Sequence, residues 1–236
     1  MGQIIAIHGA GSSGKSTFAV NLATALAQQD KIVTIVNCDM NVGSLQTFFG
    51  ETIDSTLGIP LVFTDKAEMP DRFIKQVGKI PNIYLLSSPN EKYDLLSGEI
   101  EASAINAVFR KLSLFSDFVI IDCTSDLYNE LTLRGLQKAD KIFLCYRYTI
   151  NHLKWHQSHI HTFERFSKPI IYVLNEHDNG CLDTDFISAS KIEYAYRLPD
   201  IYEARFMENE GTPMQLGGKR YAKYTDEINK IAATLI

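Results

Sequence analysis

Nine residues near the start of the chain, Gly9-Ala10-Gly11-Ser12-Ser13-Gly14-Lys15-Ser16-Thr17, satisfy the pattern G-x-x-x-x-G-K-[ST] at every required position. The chemistry served by that pattern is the cradling of a polyphosphate. Glycines let the backbone curl so that its N–H groups converge on phosphate oxygens. A helix that starts at the loop adds the positive end of its dipole. Lys15 would reach the β- and γ-phosphates, and the Ser16 hydroxyl would hold Mg²⁺. A glycine-rich turn with no ligand is the competing reading, and the flanks argue against it. Ile4-Ile5-Ala6-Ile7 reads as a buried strand and Thr17 to Gln29 as a helix. A nucleoside triphosphate or diphosphate is the expected ligand.

Further apolar runs supply the strands that would position this loop. They fall at Lys31–Asn37, Asn82–Ser87, Asp117–Asp122, Lys141–Tyr146 and Pro169–Asn175, with a weaker run at Lys191–Arg197. Helical patterns occupy 68–79, 101–115, 129–138, 150–167, 200–209 and 219–235. This alternation predicts an α/β fold, a single doubly wound and mostly parallel sheet with helices on both faces. One domain spanning 1–236 is expected, since no repeat, low-complexity tract or linker interrupts the pattern. Ligands of such sheets sit outside the carboxyl ends of the strands. Those ends carry the phosphate loop, Asp39 with Asn41, Asp122 with Asp126, Tyr146-Arg147, and Asn175. An aspartate closing Val119-Ile120-Ile121-Asp122 suits a Walker B role, holding Mg²⁺ through water. Alone it would fit a helix cap or turn equally well. Beside a complete phosphate loop the metal role is favoured.

Bulk composition narrows the classes. In 236 residues, 45% are apolar, which is enough for a substantial core. A net charge of -5 gives no electrostatic footprint for DNA. The first apolar run is about one strand long, so a signal peptide is not expected, and no run approaches the ~20 apolar residues of a membrane span. Cys38, Cys123, Cys145 and Cys181 are widely spaced with no C-x-x-C pair, which suits a reduced, cytoplasmic compartment.

The order of motifs carries a resemblance. After the loop comes Asn37-Cys38-Asp39-Met40-Asn41-Val42-Gly43-Ser44-Leu45-Gln46-Thr47-Phe48-Phe49-Gly50, then Phe118-Val119-Ile120-Ile121-Asp122. Ala139-Asp140-Lys141-Ile142-Phe143-Leu144, a strand ending in Asn175, and Asn209-Glu210-Gly211-Thr212-Pro213 follow. Across essentially the whole chain this resembles the MinD/ParA superfamily of dimerising ATPases. The D-x-x-x-G-S-L-x-x-x-F-G stretch looks most like its CpaE/TadZ branch, linked to pilus assembly and polar localisation. The resemblance implies that the phosphate loop, from Gly9 through Thr17, binds ATP or ADP. Ser16 would be the direct Mg²⁺ ligand, and Asp39 and Asp122 would hold metal-bound waters. Asn175 would contact adenine, with Pro199-Asp200-Ile201 lining the base. Lys15, Asp39 and Asn41 are the candidate catalytic positions. A homodimer and protein partners in a pilus, secretion or positioning system are implied as well.

Three departures from the family pattern set a further expectation. The signature lysine that reaches across the dimer would fall at Ala10, and the water-orienting aspartate at Asn41. The glycine that approaches the γ-phosphate would fall at Asp126. An amide positions water but is not a carboxylate base. A carboxylate about 4 Å from that phosphate would cost on the order of several kcal/mol at an effective dielectric near 20. Asp126 would escape by turning away or by meeting Arg147 or Arg134. Together the departures argue for nucleotide binding with slow or absent hydrolysis, and for a weakened nucleotide-sandwich dimer. Relatives of the CpaE/TadZ type often carry a receiver-like domain before the ATPase, and none is read here.

Other residues carry blander expectations. His152, His156 and His159 share a helical face that in principle could bind a metal, but without an H-E-x-x-H pattern a solvated or interface helix is preferred. Trp155 reads as packing or a protein contact, and His8 as an outer residue of the loop at most. Tyr221, Tyr224, Ile228, Ile231, Ala232 and Leu235 recur at helical spacing as a core face, so peripheral membrane binding by the last helix is not expected. Lys219, Arg220 and Lys223 are too few for a DNA surface. The functions that remain are a nucleotide-dependent localisation or assembly switch, an active ParA/MinD-type ATPase of DNA partition or cell-division positioning, and a small-molecule kinase. They rank in that order, because no arginine-rich lid of a kinase is evident.

Overall fold

In a computed structural model of the chain, residues 1–64, 69–90, 100–177 and 183–236 are described. The strands are β1 (Gln3–Gly9), β2 (Val33–Asn37), β3 (Lys75–Gln76), β4 (Ile83–Leu86), β5 (Phe118–Asp122), β6 (Lys141–Tyr146), β7 (Ile170–His177) and β8 (Tyr196–Pro199). They form one eight-stranded sheet in the order β3-β4-β2-β5-β1-β6-β7-β8. Every neighbouring pair is parallel except β3 with β4. The expected architecture is therefore the observed one.

Alternation along the strands supplies two buried faces. Ile5 and Ile7 of β1, Ile35 of β2, and Phe118 and Ile120 of β5 point to one side. There they meet Phe18, Leu22 and Leu26 of α1 (Lys15–Ala27) and Ile228 and Ile231 of α8 (Ala222–Ala233). Ala6, Val36, Val119, Ile121, Ile142 and Leu144 face the other way. That side is covered by α3 (Ala102–Phe115), α4 (Glu130–Lys138) and α5 (Ile150–Phe163), which contribute Phe109, Leu112, Leu136 and Phe163. Central strands buried on both faces explain why they read as continuous apolar runs. The face expected on the last helix is buried, from Tyr221 through Leu235.

Several boundaries differ from expectation. The helix predicted over 68–79 is a single 3-10 turn, Pro70–Phe73, followed by the edge strand β3. Phe73 and Val77 stand at helical spacing, but Lys75 and Gln76 pair with Leu85 and Tyr84, and that ladder wins. The last strand lies at Tyr196–Pro199, not Lys191–Arg197, and the helix expected over 200–209 begins only at Ala204, as α7 (Ala204–Asn209). Helices α2 (Ile59–Thr64) and α6 (Asp183–Ser190) were not expected. Cys38, Cys123 and Cys145 are buried and form no disulfide among the described residues, while Cys181 lies outside them.

Candidate functional site

The loop between β1 and α1 is shaped from below and from the side. Gly9 has φ +153°, and a Cβ there would sit 2.3 Å from the Cys145 carbonyl oxygen of the neighbouring β6, so only glycine lets the strands stay paired. Gly14, at φ +79°, is the left-handed residue from which α1 starts, and its Cβ would come within 2.9 Å of Asn175 Nδ2. Between these glycines, three carbonyls are tied by side chains. Lys15 Nζ donates to the Ala10 carbonyl at 2.8 Å. Asn175 Nδ2 donates to that of Ser13 at 2.6 Å. The Gly11 carbonyl lies 3.1 Å from His152 Nε2. Tying carbonyls to side chains leaves loop N–H groups to face a ligand, as an anion cradle requires, while that of Ser13 turns back onto the Ala10 carbonyl at 3.3 Å.

At the foot of the loop the Ser16 hydroxyl donates to Asp122 Oδ2 at 2.7 Å. Asp122 Oδ1 is buried and has no hydrogen-bond partner among the described residues. Burial pushes the Asp122 carboxyl up to about 6, against the opposing pull of Ser16 and Lys15. Burial likewise lowers the Lys15 ammonium from its ordinary value, with Asp122 the main opposing influence. A hydroxyl and a carboxylate with an unmet oxygen form the donor set that a hard divalent cation takes. Ser16 and Asp122 therefore fit Mg²⁺. Asp39, the other expected holder of metal-bound water, turns its Oδ1 onto the N–H groups of Asn41, at 2.9 Å, and Val42.

A cavity of about 460 Å³ opens beside the loop. Ser12 through Thr17 form its polar wall, and Pro199 at the end of β8 lines another side with Asp200 and Ile201. Phe48, Tyr202, Met214 and Tyr224 supply apolar and aromatic surface not foreseen in the sequence, where nothing marks them apart from ordinary core residues. Arg147, Asn175 and Ala204 complete the lining. Asn175 reaches the cavity, but its amide N–H₂ is engaged with the loop itself.

The three departures are placed differently from one another. Ala10 is buried under the loop, and Asn41 lies exposed. Asp126 is exposed too, and its Oδ1 accepts from the Tyr128 N–H at 2.8 Å, so it turns onto its own backbone. Arg134 pairs with Glu130 at 3.3 Å, not with Asp126. Asn129 went unnoticed in the sequence: it caps α4 by accepting from Thr132 N–H and donates across to the Cys38 carbonyl at 3.0 Å. That contact ties the loop after β5 to the loop after β2.

The histidine face is also corrected. His152 and His156 are buried, not on a solvated face: His152 lies against the phosphate loop and the turn after β6, and His156 against Tyr146 of β6. His156 Nδ1 lies 2.9 Å from the Tyr146 hydroxyl, while His159 stacks on Trp155. Among the described residues no group of three or more His, Cys, Asp or Glu side chains is placed to hold a metal. His8 is fully buried against Trp155 and Phe163, and burial together with the Lys15 charge holds its ring down at about 3. Arg220, one of the three basic residues before and within the last helix, is paired with Glu203 at 3.2 Å.

A parallel sheet whose first strand runs into a phosphate loop, with a Ser–Asp pair at its base, defines the P-loop class of nucleotide-binding folds. A family described as "AAA domain" matches residues 2–174, and the chain belongs to it. More particularly, its relatives and its fold are of the MinD and ParA kind. The septum site-determining protein MinD of Synechocystis sp. is 26% identical over 125 residues, 52% of this chain and 45% of that protein. The chain thus spans a little under half the length of that relative. A ParA family ATPase from Chlorobium tepidum superposes with a TM-score of 0.83 at 18% identity, covering 99% of both chains. The MinD protein of Pyrococcus horikoshii, solved with Mg-ADP, superposes with a TM-score of 0.79 at 20% identity, over 100% of this chain and 99% of its own. Among the described residues no helix is long and apolar enough to cross a membrane.

Proposed function

We propose that this protein binds ATP or ADP with Mg²⁺ and works as a nucleotide-dependent switch of localisation or assembly, with slow or absent hydrolysis. The observation that carries the reading is the phosphate loop with its Ser16–Asp122 pair, opening onto a cavity that ends at Pro199, Asp200 and Ile201. Lys15 and the loop N–H groups would hold the phosphates. Bound Mg²⁺, on Ser16 and through water on Asp122 and Asp39, would neutralise charge between the terminal phosphates. Asn175 and the Pro199–Ile201 backbone would frame the base. The hydrolytic side is poor: Ala10 offers no cation to a second copy, and Asn41 is no base. Output would then be an interaction, whose bias equals the difference in nucleotide affinity between two states of the protein. A CpaE/TadZ-like role beside pilus or secretion machinery, with a homodimer and a protein partner, is the particular form we favour.

An active ParA/MinD-type ATPase is the second reading, supported by the intact Ser16–Asp122 pair and by the kinship itself. The proposed site is tested by titrating the chain with labelled MgADP. Lys15→Ala is expected to remove most of the affinity, and unchanged binding by that variant would overturn the site.

A further inference from the structure

His152, on the first turn of α5, stands 141 residues from the phosphate loop in sequence and touches it in space. Its Nδ1 accepts from the Arg147 backbone N–H at 2.8 Å. An accepting Nδ1 carries no proton, so the neutral ring bears its hydrogen on Nε2. That hydrogen lies between Nε2 and the Gly11 carbonyl oxygen, 3.1 Å away. Burial keeps the ring neutral by lowering its pKa from the ordinary value. Thr149 caps the helix from which the ring projects, its Oγ1 accepting from the His152 N–H.

We propose that His152 is a positioning residue for nucleotide binding, acting through the Gly11–Ser12 peptide. In a trans peptide the C=O and the next N–H point in opposite directions. Turning the Gly11 carbonyl toward α5 therefore turns the Ser12 N–H away from α5, on the side of the cavity that Ser12 lines. Ser12 sits at φ +59°, a left-handed conformation that a serine holds only when its surroundings impose it. His152 supplies one such constraint, alongside the ties of Lys15 to Ala10 and Asn175 to Ser13. The ring thus links the β6–α5 turn to the orientation of one phosphate-binding amide. This inference rests on the nucleotide site proposed above.

Two substitutions divide the ring's functions. His152→Gln keeps a donor near the position of Nε2, and His152→Asn keeps an acceptor near that of Nδ1. Amide hydrogen exchange at Ser13, whose N–H donates to the Ala10 carbonyl at 3.3 Å, is measured on the ligand-free full chain, and affinity is measured with MgADP. His152→Asn is expected to speed exchange at Ser13 and weaken MgADP about tenfold, the loss of one hydrogen bond. His152→Gln is expected to stay near the parent chain on both. Equal behaviour of the two variants, or the reverse order, overturns the proposal. Should the asparagine chain not fold, the glutamine chain still decides, because a loosened loop in it is contrary to the proposal. The exchange measurement needs no nucleotide. A parent chain that fails to bind MgADP would therefore sink the nucleotide site, while the exchange order separately decides what His152 does to the loop.

Discussion

Ser16 and Asp122 are joined by a 2.7 Å hydrogen bond in which the hydroxyl donates to Oδ2, leaving Oδ1 buried and without a partner among the described residues. The carboxyl is pushed up to about 6 by its burial. A cation beside it would favour the ionised form and lower that value. Binding of MgADP is therefore expected to release a proton near pH 5.5 and close to none at pH 8, where Asp122 is already ionised. Calorimetry in buffers of different ionisation heat measures the release, and Asp122→Asn is expected to abolish it. Equal release from the asparagine variant would remove Asp122 from the metal site.

His8 gives acid sensitivity of the opposite sign. Its pKa falls from 6.5 unfolded to about 3 folded. Such a group contributes stability that is fully present above 6.5 and is lost as pH falls toward 3. Asp122, with a raised pKa, costs stability above about 6 and ceases to cost below 3.8. Acidification from pH 7 to 4.5 should thus lose about 2–3 kcal/mol through His8 and recover part of it through Asp122. His8→Phe suits the neighbouring Trp155 and Phe163 rings. Denaturant unfolding at the two pH values is expected to show a smaller acid loss in that variant, and an unchanged loss would mean that His8 is not held neutral.

The Asn175–Ser13 tie and the left-handed Gly14 serve one arrangement, since a Cβ on Gly14 would press on the same amide. Asn175→Ala is expected to cost about 1–3 kcal/mol by leaving the Ser13 carbonyl unmet. Gly14→Ala adds a strained φ and displaces Asn175. The double variant is expected to be less destabilised than the sum of the singles, because each removes the same hydrogen bond. Strict additivity in unfolding measurements would count against a shared arrangement.

Asn129 joins the loop after β5 to the loop after β2, by capping α4 and by reaching the Cys38 carbonyl. Asn129→Ala is expected to cost about 1–2 kcal/mol as a lost cap. Asn129→Asp keeps the cap but cannot donate to Cys38, so it separates the two roles. If asparagine's second contact matters to the site, the aspartate variant is expected to melt near the parent temperature yet bind MgADP more weakly. Parent-like affinity would confine Asn129 to helix capping.

What was legible in the sequence was local. Gly9 through Thr17, the apolar strands and the terminal aspartate of β5 are contiguous patterns whose spacing states their structure. Lys75 and Gln76 were misread because their own segment has helical spacing, and only pairing with Tyr84 and Leu85 makes it a strand. Helix α6 has little more than Phe186 and Ile187 as an apolar face, too short a signal to stand out. His152 reads as part of a solvated or interface helix because its partner, Gly11, is distant in sequence. Phe48, Tyr202, Met214 and Tyr224 line the cavity only after the chain has folded, from four separate segments. The chemistry of the site was thus readable where it sits on one loop, and unreadable where the fold assembles it.

Slow or absent hydrolysis at a competent nucleotide site is the central claim, and a single-turnover assay tests it most directly. Protein in excess over labelled ATP and Mg²⁺ is sampled over time, and bound nucleotide is identified by chromatography. The expected result is ATP that stays bound and intact for hours, with turnover rising only when Ala10→Lys, Asn41→Asp and Asp126→Gly are introduced together. ADP forming on the parent chain within minutes would contradict the account and establish an active ATPase in its place.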